Sequence, residues 1–89
     1  MCRNIKVLFN FDPPATEEEI RMAALQFVRK VSGFNQPSKA NEAAFLAAVD
    51  AITAASSTLL SSLATNAPQK NRAEEEALAR ARSAQRFSR

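Results

Sequence analysis

The sequence contains no histidine, tryptophan or tyrosine, and only one cysteine and one glycine in 89 residues. Without histidine, this chain builds no Ser-His-Asp, Cys-His or histidine–metal arrangement of its own. A single cysteine excludes an intrachain disulfide and a cysteine-built zinc site. Long apolar openings are missing too. The N-terminus leads only into Val7–Phe9, interrupted by Asn10 and Asp12. A secretory core needs roughly 7–15 apolar residues and a membrane span about 20. The expectation is therefore a cytoplasmic protein with no membrane contact, no cofactor and no metal.

What is present points to helix. Eighteen alanines stand against one glycine, the best and nearly the worst helix formers. The composition, 46% hydrophobic and 24% charged, belongs to a folded chain rather than a disordered one. At this length there is room for one small core, with a thin stability margin. Net charge is +3, and six of the twelve Lys and Arg residues fall in residues 70–89. That excess could draw an acidic partner or nucleic acid by screened attraction, or simply be solvated.

Local signals divide the chain. Thr16 followed by Glu17-Glu18-Glu19 forms a capping box with acids at the positive end of the dipole. Ile20, Ala24, Phe27 and Val31 recur behind it at helical spacing, and Ser32-Gly33 offers a stop. This predicts a helix over about 16–32. Ser38 is a candidate cap for a second helix running to about 64, ended by Asn66-Ala67-Pro68. Its apolar stripe contains Phe45, Val49, Ile52, Leu59, Leu60 and Leu63, and alanines 44, 48, 51 and 55 line the adjoining face.

Residues 72–86 read as a third helix, acidic first and basic later, with Leu78 and Phe87 as its only large apolar anchors. Ile5 to Phe11 alternate like a strand with no evident partner, so a short helical turn is preferred there. The predicted architecture is all-α. It is a small bundle built on an antiparallel pair, about 16–32 and 38–64, in a domain of residues 1–69. Residues 70–89 follow as a charged helix or tail. Phe27, Phe45, Ile52 and Leu59 are the expected core.

Two resemblances arise from these residues. Met1-Cys2-Arg3-Asn4-Ile5-Lys6, Leu8-Phe9-Asn10-Phe11, Pro13-Pro14-Ala15-Thr16, Phe27-Val28-Arg29-Lys30, Ser32-Gly33-Phe34 and Pro37-Ser38 resemble a family of short, uncharacterised bacterial proteins, a domain of unknown function. The likeness covers roughly residues 1–70 and implies no activity. More loosely, Leu8–Phe11, Ala15-Thr16, Glu18-Glu19-Ile20-Arg21 and a second helix with Phe45 and Ile52 are similar to the J-domains of co-chaperones. That likeness implies a helical hairpin. The family's His-Pro-Asp tripeptide is absent from the loop Ser32–Ser38, so co-chaperone activity does not follow.

Candidate functional residues are few. Cys2 is the one reactive side chain; if Met1 is removed, its amine and thiol share one residue near Arg3 and Lys6, which favour thiolate. Sulfur-carrier or redox chemistry is the reading this permits, against an ordinary small residue at an N-terminus. Glu17–Glu19 cannot converge on one ion, because helical neighbours point about 100° apart. Arg80, Arg82 and Arg86 are candidate phosphate contacts for weak non-specific nucleic-acid binding, although aromatic residues are sparse around them. Met22 and Leu25 lie off the main stripe of the first helix and, with Arg29, are candidate contacts for a protein partner or a second copy. The leading expectation is a small non-catalytic interaction module.

Overall fold

The computed structural model describes residues 4–87, with side chains as far as residue 82. The fold is all-α, with three helices and one minimal pair of strands among those residues. The first helix, α1 (Glu17–Ser32), starts on the expected capping box. Thr16 Oγ1 accepts from the Glu19 amide at 3.1 Å, and Glu19 Oε1 accepts from the Thr16 amide at 2.9 Å. It stops at Gly33, whose φ of 80° lies in the left-handed region that glycine enters without a Cβ penalty. The Gly33 amide donates to Arg29 O at 2.9 Å.

The second helix begins later than predicted. Lys39–Asn41 form a 3-10 turn, and α2 is Glu42–Ser62. Ser38 caps no backbone amide with its side chain. Its carbonyl takes the Asn41 amide three residues on, while its hydroxyl takes Asn41 Nδ2. At the other end α2 stops ahead of Pro68: Leu63 turns extended, and the Ser61 hydroxyl donates to Thr58 O. The proline was therefore not what ended it.

The helices α1 and α2 pack antiparallel, with Arg21 meeting Asp50 and Glu17 meeting Ser57. The core is Ile20, Ala24 and Val28 from α1 against Phe45 and Val49 from α2, with Val49 only 1% exposed. Thr53 is buried beside them, and its hydroxyl donates to Val49 O at 2.7 Å, so burial leaves no donor unpaired. Both helices meet along rows spaced by four residues, the ridge used in the commonest class of helix packing. This corrects the predicted core. Phe27, at 47% exposure, is turned aside from its buried neighbour Val28; Val31, at 67%, lies in the last turn of α1 past the last buried residue; and Leu59 is 55% exposed. Ile52 packs on the flank of the cluster, and Phe45 is buried as predicted.

Residues 5–11 form no helical turn. The chain bends and then extends into β1 (Phe11–Asp12), which pairs parallel with β2 (Lys70–Asn71). The supposedly absent strand partner lies just before α3 (Arg72–Phe87). Asn10 makes the crossing, with φ at 67°, a region asparagine tolerates better than most residues. Its carbonyl accepts from the Lys70 amide at 2.9 Å, and its side chain donates to Pro68 O at 3.1 Å. Farther back, the Asn4 amide donates to Gln26 Oε1 at 2.8 Å and ties the segment to α1.

The result is flat, 43 × 39 × 16 Å between Cα extremes. Large apolar side chains remain at the surface of both packed helices, among them Met22, Phe27 and Val31 on α1 and Leu46 and Leu59 on α2.

Candidate functional site

The flat shape leaves much of α2 uncovered although Phe45, Val49 and Thr53 are buried. Residues Lys39–Ser62 are long and apolar enough to cross a membrane by length and composition, yet only 17% of the most apolar window is buried. The sequence reading saw no such segment, because alanine raises hydropathy without the large side chains by which a span is usually noticed. Leu46 and Leu59 are exposed on its flanks, and Ala44, Ala47, Ala51, Ala54 and Ala55 are exposed along its outer side. Ala48, predicted to belong to that alanine face, instead packs against the core. Asp50 is the one charge in the middle of α2, and Arg21 Nη1 holds its Oδ1 at 2.6 Å in an exposed pair.

On α1 the three candidate partner contacts share one side, since Met22, Leu25 and Arg29 are spaced by three and four residues. Met22 is exposed, and Leu25 is half-buried with part of its surface on the core cluster. Arg29 is not free to swing: its Nε donates to Asn35 O at 2.9 Å and pins the inter-helix loop. Phe34 in that loop is exposed as well.

A second feature lies where both ends of the chain meet. Arg72, the first residue of α3, places Nη2 2.6 Å from Glu19 Oε2, with about three quarters of each side chain shielded from water. Glu19 thereby serves two elements, capping α1 with one oxygen and holding α3 with the other. The Arg72 hydrogen bond and then the Thr16 amide lower its carboxyl from the ordinary value; burial opposes them, and the charges of Arg72 and Lys6 lower it by lesser amounts. Arg72 is raised correspondingly by Glu19. Phe11 packs into the same junction, with Lys70 Nζ 5.4 Å and Arg72 Cζ 5.7 Å from its ring centroid, within cation–π range.

The structure does not gather the candidate arginines into one patch. Arg80 and Arg82 are two residues apart on α3 and point about 200° from each other. Arg82 faces the junction, where it lines a cleft with Lys6 and Phe11. Arg86 belongs to α3, but its side chain, like that of Phe87, lies outside the described set, and Cys2 and Arg89 lie outside the described residues altogether. Sequence reasoning missed Lys6, Phe11, Glu19, Lys70 and Arg72 as a group. Only the capping role of Glu19 was signalled, because nothing local announces that residue 11 meets residue 70.

Neither a curated protein nor a solved structure matches this chain. The likeness to J-domains gains no support from these comparisons. One family does match, over residues 1–78, which takes in the capping box, the helix pair, the strand pair and the start of α3. The chain belongs to the family described as "Uncharacterized conserved protein (DUF2277)".

Proposed function

We propose that the protein is a small non-catalytic interaction module whose partner is another protein, seated on the uncovered side of the α1–α2 pair. One observation carries this reading: the longest helix leaves most of its apolar stretch unburied. Exposed large apolar side chains on a domain this small, Met22, Phe27, Leu46 and Leu59 among them, offer the apolar contacts that an interaction surface needs. Alanine along α2 would let a partner's backbone approach closely. The exposed Met22, Leu46 and Leu59 would supply the larger contacts. A membrane is the weaker occupant of this surface, because a span over Lys39–Ser62 would put Asp50 near the bilayer centre. A carboxylate there costs about 2.5–3.5 kcal/mol on insertion scales.

The test compares the chain with a Met22→Glu/Leu59→Glu double variant, each immobilised and exposed to native lysate and to the untagged chain. Both positions are exposed, so the variant keeps its helicity. A protein retained by the first bait and lost from the second supports the proposal. Identical captures from both, or stable binding to vesicles with no retained protein, contradict it.

A further inference from the structure

The junction between the N-terminal segment and α3 encloses a cleft of about 350 Å³. Four cations line it, Lys6, Lys70, Arg72 and Arg82, against two carboxylates, Glu75 and Glu76. Val7, Phe11 and Ala79 provide its apolar wall. Arg72 is matched by Glu19. Lys6, Lys70 and Arg82 make no ion pair within 4 Å among the described residues, although the carboxylates of α3 are close at hand. The cations come from three separated parts of the chain, so their convergence is a product of the fold, not of one basic run.

We infer that this cleft binds a small organic anion, an aromatic or apolar body of about ten heavy atoms carrying a phosphate or carboxylate. Like charges held around a low-dielectric wall raise the local potential and attract an anion, whose arrival relieves their mutual repulsion. Lysine and arginine heads would hold the charged end through charge-assisted hydrogen bonds. The body would lie along Val7 and Phe11, in line with the usual division of a ligand site into an apolar lining and a few polar anchors. Glu75 and Glu76 set the limit. They repel a second anionic group at the α3 side, so a singly anchored anion is favoured over a polyanion such as a nucleic-acid backbone. This site is separate from the uncovered face of α2, and its failure would leave the interaction-module reading untouched.

The probe is phenyl phosphate, titrated into the uniformly 15N-labelled full chain and followed through amide shifts. Saturable shifts confined to residues 6–11 and 70–82 are expected, with inorganic phosphate weaker and benzylamine inert. A Lys6→Gln/Arg82→Gln variant should weaken binding about tenfold, the loss expected when charge-assisted contacts are removed from an exposed site. Both residues are exposed and lie outside the core, so the circular dichroism spectrum and Tm should not change. The inference is overturned by an absence of saturable shifts, by shifts spread over every basic residue, by undiminished binding in the variant, or by tighter binding of benzylamine.

Discussion

The two halves of this molecule are held by different physics. The α1–α2 pair closes on Ala24, Val28, Phe45 and Val49, a cluster from which water is excluded. The junction of residues 4–12 with 70–82 closes on two-residue strands, one asparagine, one carboxylate–guanidinium pair and two cations on a phenyl ring. Burial of apolar surface is non-directional, little affected by salt and cooperative along a seam. Exposed ion pairs and cation–π contacts are modest, screened and local. The teaching is that an arm fastened in the second way can come loose while the hairpin stays folded.

The largest expected effect falls on the hairpin. Phe45→Ala should destabilise the domain by about 3–5 kcal/mol, since a buried aromatic leaves both lost transfer energy and a cavity. For a domain this small, that approaches the whole stability, and urea melts followed by circular dichroism would register it. Phe27→Ala, at a half-exposed position, should cost far less. Equal losses for the two would mean that the seam follows the row of Phe27 and not that of Val28.

Next comes Gly33→Ala. A Cβ there meets nothing within 4 Å, so the cost is only that of holding φ at 80°, about 1–2 kcal/mol, again read in denaturant melts. The smallest effect on the hairpin comes from Glu19, a residue that both regions use. Glu19→Ala removes half the capping box and should cost α1 about 1 kcal/mol. Glu19→Gln keeps an acceptor for the Thr16 amide but loses the charge facing Arg72. It should leave the melting of the hairpin nearly unchanged while releasing α3. If both variants lower hairpin stability alike, the arm and the hairpin are one cooperative unit.

Acid should separate the two regions in the same way. Glu19 is ionised more readily in the folded chain than in the unfolded one. Its contribution is therefore fully present above the ordinary carboxylate range, and is lost as pH falls through its lowered value. Heteronuclear relaxation of α3 should show mobility rising as pH is lowered through that range, before any loss of helix signal from α1 and α2. Added salt at neutral pH should have a weaker effect in the same direction.

How much of this was legible in the sequence follows the same division. The capping box at Thr16 and the stop at Gly33 were visible because each depends on residues three or four apart. The hairpin itself followed from two amphipathic runs and one short connection. The choice of seam was not visible. Ile20 and Ala24 fit both a row through Phe27 and one through Val28, and only the approach angle of the partner helix selects between them. At the junction, Lys70-Asn71 has no strand character, and β1 is too short to show a period. The pairing is set by Asn10 turning the chain and by Arg72 reaching Glu19, contacts across more than fifty residues. Of the candidate site residues, Met22 and Leu25 could be read as off-stripe positions on α1. Arg82 could be named, but not the cleft it faces, because that cleft exists only once the strands have paired.

The claim that burial holds the hairpin and charge holds the arm is tested most directly by hydrogen exchange, resolved by segment, on the wild-type chain and on Arg72→Ala. In the wild type, amides of residues 45–53 should exchange at the rate of global unfolding, with α3 exchanging faster. Arg72→Ala should abolish the residual protection of residues 70–78 and leave that of 45–53 unaltered. A parallel loss of protection in both segments would contradict the account.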